Sequence, residues 1–159
     1  MTEAHRQLSA ALGRIPSGLF ILTARHHSLE TGMLVSWVQQ CSFDPPQISL
    51  AIQRNRPISA WLGEGAAFTL NILDHTQTDM VAHFGRGFTL QEAAFEGLEI
   101  DRPDDGAPVL QEALAYLQCQ VTGGCPVGDH VLFIASVEGG RVLSEGQPMV
   151  HIRKSGVHY

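Results

Sequence analysis

Two successive stretches of this chain alternate apolar and polar residues at a period of two. In residues 114–122, Leu117, Cys119 and Val121 alternate with Gln118, Gln120 and Thr122; in residues 130–138, Val131, Phe133, Ala135 and Val137 share one face. Only an extended backbone puts every second side chain on one side, so both read as long strands with one buried face. Residues 48–53 repeat the pattern: Ile48, Leu50 and Ile52 face one way, Ser49 and Gln53 the other, and Ala51 fits either environment.

The other segments fit around these strands. Residues 3–12 read as a short helix with Leu8, Ala11 and Leu12 on one face, stopped by Pro16-Ser17-Gly18. Residues 19–24 read as a strand, 26–32 as a polar turn and 33–43 as a second strand. Asp44-Pro45-Pro46 ends that strand, because neither proline can donate a ladder hydrogen bond. Pro57 suits the first turn of a helix to Leu62. Phe68, Leu70 and Ile72 share one strand face. N-cap candidates from Asp74 to Asp79 precede a helix through Phe84, and a further short helix is expected over 90–95. Residues 101–108 read as a loop, and Gly139-Gly140 as a hairpin signal. Strands follow strands without regular intervening helices, which disfavours a doubly wound parallel sheet. The expectation is one domain over 1–159, mainly β with short helices, as an antiparallel barrel or sandwich.

With 44% hydrophobic and 16% charged residues the chain can bury a core. A net charge of −6, with no basic run longer than Arg153-Lys154, argues against a nucleic-acid partner, since phosphate binding needs clustered cations. No stretch approaches the roughly 20 apolar residues of a membrane helix, and the N-terminus carries no secretory pattern. Three cysteines, Cys41, Cys119 and Cys125, without a C-x-x-C spacing, favour a reducing compartment, hence a cytoplasmic location.

Several chemistries lack their residues. His26-His27 are adjacent and cannot share a strand face, and Cys119, Cys125 and His130 match no usual zinc spacing, so no metal is expected. No G-x-S-x-G is present. Gly85-Arg86-Gly87 lacks both the preceding strand and the third glycine of a dinucleotide fingerprint.

Landmarks of another kind run along almost the whole chain. Ile15-Pro16-Ser17-Gly18-Leu19, Gly32-Met33 leading through Ser36 and Ser42 to Asp44-Pro45-Pro46, Phe68-Thr69-Leu70-Asn71-Ile72-Leu73, and Gly128-Asp129-His130 follow in order. The set resembles the flavin reductase-like, FMN-binding split-barrel proteins. Ala11-Leu12-Gly13-Arg14-Ile15, Met33-Leu34-Val35-Ser36-Trp37-Val38-Gln39-Gln40, Ala113-Leu114-Ala115-Tyr116-Leu117 and the ending from His151 to Tyr159 resemble, more narrowly, the flavin reductase module at the C-terminus of cyanobacterial flavodiiron proteins. Here that module is expected to stand alone.

The resemblance implies an antiparallel split β-barrel, an FMN cofactor, and a homodimer with FMN near the subunit boundary. It implies NADH or NADPH as a transient donor passing hydride from nicotinamide C4 to flavin N5, and an electron-accepting partner such as an oxygen reductase or a monooxygenase. The alternative is a non-reductase FMN module for storage or redox sensing; haem-binding or pyridoxamine-phosphate-oxidising split barrels are a third class. The FMN contacts carried over are Ser36, Trp37, Val38, Gln39, Cys41, Ser42, Arg54, Asn55 and Arg56, and the catalytic candidate is His130.

Physical chemistry supports these positions without requiring them. A phosphate needs N–H donors and positive charge, which Arg54-Asn55-Arg56 before the Pro57 helix can supply, with Ser42 as a further donor. Residues 36–40 can offer backbone groups to the ring's pyrimidine edge, with Trp37 or Val38 as an apolar wall. The ordinary readings are a solvated arginine pair, a tryptophan filling a core or dimer interface, plain strand serines, a cysteine acting as a small buried hydrophobe, and a strand-end histidine bonded to a neighbour. Leu34, Val35 and Trp37 are bulkier than the small residues many family members carry there, which would tighten the pocket against nicotinamide or change which flavin fits. His151, His158 and Tyr159 are expected either to reach a partner's flavin or to form a frayed tail.

Overall fold

The structure is a computed structural model that describes residues 1–157. In chain order its elements are α1 (Glu3–Gly13), β1 (Ser17–Gly18), β2 (Phe20–His26), β3 (Leu29–Val35), β4 (Val38–Phe43), β5 (Pro46–Gln53), α2 (Pro57–Gly63), β6 (Ala67–Ile72), α3 (Thr78–Gly85), β7 (Ile100–Asp101), β8 (Val109–Leu110), β9 (Ala115–Val127), β10 (His130–Val142) and β11 (Val150–His151). Seven strands form one antiparallel sheet in the order β3-β2-β6-β9-β10-β5-β4.

The two edge strands, β3 and β4, do not pair, yet they are consecutive in the chain and only Ser36 and Trp37 join them. Three peptide steps span at most about 11 Å. The sheet must therefore curl until its edges nearly meet, leaving a barrel split along one line. This corrects the expectation of a single strand over 33–43. β3 ends on β2 at the pair Val35↔Phe20, whereas β4 begins on β5 at Val38↔Leu50, so the chain changes edges at 36–37.

Three other expectations change. Residues 90–95 form no helix; the Glu92 carboxylate accepts from the Thr89 N–H, and short turns carry Ala94 into the core. Gly139-Gly140 is no hairpin, since β10 runs through it to Val142 with an irregularity between Val137 and Gly139. A β-carbon at Gly140 would lie 2.7 Å from the Tyr116 carbonyl oxygen, so glycine there permits close approach of the strands. The β2–β3 turn shrinks to His27 and Ser28, with β3 starting at Leu29.

The barrel interior takes the inward faces of the alternating strands: Leu50 and Ile52 from β5, Phe133 and Ala135 from β10, Leu22 and Ala24 from β2, Phe68 and Leu70 from β6. A second cluster, Ile21, Leu73, Met80, Phe84, Ala94 and Leu110, lies under α3. β2 is buried on both faces, which is why its sequence reads as an unbroken apolar run.

A polar staple fixes residues 107–110 to the outside of β2 and β6. Asn71, fully buried, donates to the Ile21 carbonyl (3.0 Å) and to Thr23 Oγ1 (3.2 Å), and its Oδ1 accepts from the Leu110 N–H (2.9 Å). Thr23 donates to the Pro108 carbonyl and Thr69 to the Ala107 carbonyl.

The C-terminal segment crosses the split as a strap. β11 pairs with β1, the Gly156 N–H donates to the Ser9 carbonyl (2.8 Å), and the Ser9 and Ser155 hydroxyls lie 2.8 Å apart. A β-carbon at Gly156 would overlap Leu12, and one at Gly13 would lie 2.6 Å from the Arg153 carbonyl oxygen. Asp74 anchors the chain leading into the strap: its carboxylate accepts from the Thr76 hydroxyl (2.6 Å), the Thr76 N–H (2.9 Å) and the Gln147 N–H (3.0 Å).

Two outcomes follow. Asn71→Ala strands the Leu110 N–H and opens a cavity, so urea unfolding should show a loss of about 2–4 kcal/mol. The hydrogen bonds from Thr76, supported by Gln147, lower the Asp74 carboxyl from 3.8 to about 2. A carboxyl depressed on folding stabilises fully above its unfolded value and ceases to do so as pH falls through the folded one. The difference in melting temperature between the wild type and Asp74→Asn should therefore hold near neutral pH and shrink between about pH 4 and pH 2.

Candidate functional site

A cleft opens at the split. Leu34, Val35 and Ser36 form one side; Ala51, Ile52 and Gln53 of β5 form the other, with Met33 beside them. Phe84, Gly85 and Gly87 close it from the end of α3, His151 from the strap, and Arg56 from the β5–α2 corner. Met33, Arg56 and Gly87 also border an adjoining lobe formed by Thr31, Pro57, Phe88 and Leu90. Gly87 has φ of +79°, a conformation that L side chains rarely adopt, so glycine sets the backbone path here; a β-carbon would meet Arg56 Nη1 only at an ordinary contact distance of 3.9 Å.

The cleft's charge runs against that of the chain. The protein has 16 acidic and 10 basic residues, yet the lining carries Arg56 and His151 and no carboxylate. An anionic ligand meets no like charge there.

The predicted site residues lie in different places. Ser36, buried at 9% exposure, and Arg56, exposed, reach the cleft. Trp37, Val38 and Gln39 line a different hollow, shared with Ile15, Pro16, Ser17 and Leu132, and Ser36 and Ala51 border both spaces. Cys41 and Ser42 lie farther along β4 in a shallow groove with Phe43; Cys41 is exposed rather than buried. Arg54 turns away from the cleft: its guanidinium donates to the Gly128 carbonyl and its N–H to the Asp129 carbonyl (3.1 Å), so it braces the β9–β10 turn. Asn55 is exposed in the same corner. The Arg56 N–H donates to the Gln53 carbonyl (3.0 Å), so the side chain, not that amide, faces a ligand.

His130 pairs across the ladder with Gln53, a cleft residue, and therefore shares its face of the sheet. It is 7% exposed. Its Nδ1 lies 2.6 Å from Asp129 Oδ1. That bond, with the nearby Arg54 charge, holds the Asp129 carboxyl below its ordinary range. An ionised carboxylate can only accept, so Nδ1 carries the proton. Trp37 packs on the imidazole with ring centroids 4.8 Å apart, and the Arg153 guanidinium lies 4.6 Å over the indole.

Sequence reasoning did not assign Ala51, Gln53, Gly85 or Gly87 to a site. Gln53 reads as a plain outward strand residue and becomes a wall only when the barrel curls. The one available signal was Gly-Arg-Gly directly after a helix. His151 lines the cleft of its own chain; His158 and Tyr159 lie outside the described residues. Burial raises the Cys119 thiol to about 12, which keeps it protonated in the core. Among the described residues, no group of three His, Cys, Asp or Glu side chains could hold a metal ion, and no helix is long and apolar enough to cross a membrane.

Comparison with known proteins identifies what this arrangement resembles. The flavin reductase-like domain family matches residues 12–158. Diflavin flavoprotein A 1 of Synechocystis sp. is 38% identical over 154 residues, covering 96% of this chain and 27% of the relative. The chain spans about a quarter of the length of the curated relatives it matches. Among solved structures, the NADH:FAD oxidoreductase SgcE6 of Streptomyces globisporus C-1027 superposes with a TM-score of 0.84 at 22% identity, covering 94% of this chain and 88% of that one. The styrene monooxygenase flavin reductase of Pseudomonas putida S12 does so at 0.76 and 26%, covering 90% of each.

Replacing Gly87 by alanine forces a side chain into a left-handed conformation. Gly87→Ala should lower stability by about 1–2 kcal/mol in thermal or urea unfolding.

Proposed function

This chain belongs to the flavin reductase-like family, and from that membership we propose that it binds FMN in the cleft at the split and reduces it with NADH or NADPH. The observation that carries the reading is the lining: a cation at the corner, an apolar flank and no carboxylate, in an acidic chain. These residues suit FMN. The Arg56 guanidinium would grip the phosphate in a bidentate manner. Leu34, Val35 and Phe84 would flank the ring, Gln53 and the Ser36 backbone would meet its polar edge, and His151 would close the wall.

Bound flavin would supply hydride acceptance at N5. The protein's part is position and electrostatics. Asp129 holds the His130 proton on Nδ1, which fixes the tautomer and orientation of the ring, and its imidazole would orient polar groups of the bound flavin or nicotinamide. Of the other residues carried over from the resemblance, Trp37, Val38 and Gln39 would act from the second hollow, Arg54 and Asn55 by shaping the corner, and Cys41 and Ser42 only from a partner chain. A homodimer with FMN near its interface belongs to this reading; exposed Phe43 and Val127 are apolar surface for such a contact. The reduced flavin would serve a partner such as an oxygen reductase or a monooxygenase. Three free cysteines are consistent with the reducing cytoplasm.

One observation favours the non-reductase reading, an FMN module for storage or sensing. His130 is nearly covered beneath Trp37, which would keep nicotinamide away from it. The two readings part in one experiment. Under anaerobic conditions the FMN-loaded protein should lose the visible absorption of its oxidised flavin on addition of NADH or NADPH. Bleaching by dithionite alone would leave the storage reading. In flavin fluorescence titrations, Arg56→Ala should weaken FMN about 10- to 100-fold and leave riboflavin, which has no phosphate, within about twofold.

A further inference from the structure

The strap has a second inward residue that the flavin cleft does not use. His151 faces the cleft; two residues on, Arg153 lies over the Trp37 ring. Trp37 thus touches both the Arg153 guanidinium, 4.6 Å from its ring centroid, and the His130 imidazole, 4.8 Å away with the two rings tilted by 39°. His130 is fixed in turn to Asp129 at 2.6 Å, and the Asp129 carbonyl receives the Arg54 N–H at 3.1 Å. The backbone of this line is also secured. The Trp37 carbonyl accepts from the Ala51 N–H at 3.0 Å, and the strap is tied to α1 through Ser155 and Gly156.

We propose that Arg153 is a positioning residue: by clamping Trp37 against His130 it fixes the orientation of the imidazole for the redox site. The inference rests on the role given above to His130. The indole stands in the two-residue crossing between β3 and β4, outside the ladder on the β3 side. A cation on an indole face is attracted by the ring quadrupole, and a planar guanidinium also stacks on it. Among the described residues, the charged groups in contact with this line include Asp129, Arg54 and Arg153, and the clamp and the carboxylate both bear on the imidazole's position.

The test uses the full chain labelled with 5-fluorotryptophan and with 15N-histidine. Two tryptophans give two fluorine lines, and Trp61, buried within α2, is the internal control for the fold. In Arg153→Ala the Trp37 line should shift and narrow, the His130 ring signals should shift, and the Trp61 line should stay in place. Arg153→Lys should restore part of both changes. Trp37→Phe approaches the same contact from the other end. Arg153→Ala added to it should move His130 no further, the signature of one coupled line. In the reductase assay Arg153→Ala should lower kcat about tenfold, with the KM for FMN unchanged within about twofold, because Arg153 does not line the cleft. A His130 signal unmoved in both Arg153→Ala and Trp37→Phe overturns the proposal, as does a Trp37 line indifferent to Arg153. These spectra need no turnover. A wild-type protein that oxidises neither donor removes the reductase reading and leaves the spectra to decide the clamp.

Discussion

Everything about the site depends on how little chain joins the two edges of the sheet. Ser36 and Trp37 are the whole connection between β3 and β4, and seven strands must curl so that this connection can be made. A longer loop would let the sheet lie open. A ladder between the edges would close it and erase the cleft. The split barrel is the remaining arrangement, and its gap is lined by backbone and side chains that would otherwise have been ladder. That is why Ser36 borders two hollows at once and why outward residues of β5, such as Ala51 and Gln53, become walls.

The alternating strands were legible because each has one wet face. β5 shows Ile48, Leu50 and Ile52 inward, and β10 shows Phe133 and Ala135 inward, as the period of two requires. The crossing at 36–37 was not legible. Residues 33–38 are apolar almost throughout, and an apolar run carries no mark of where the chain changes partners. Gly139-Gly140 misled for a related reason. The same pair serves a turn or a close strand contact, and only the position of Tyr116 distinguishes them.

The candidate site divides along the same line. Arg56 was visible as a cation in a polar corner before a helix-starting proline, which is a local signal. Gln53 and Gly87 enter the cleft only through tertiary closure. Arg54 looks identical to Arg56 in sequence, yet its guanidinium goes to the Gly128 carbonyl, a partner 74 residues away that no local pattern announces. The reading of 33–43 as one strand also set Cys41 and Ser42 in line with Ser36, whereas the break puts them at the far end of β4.

The meeting of Gly13 and Gly156 has a mechanical consequence. With no side chain on either, α1 and the tail touch main chain to main chain, and a bare backbone contact has no rotamers to relax. The gap between helix and tail is therefore a hard stop, not a cushioned one. Even a methyl group at Gly156 would pry the tail outward like a wedge under a hinge, carrying residues 151–157 away from α1.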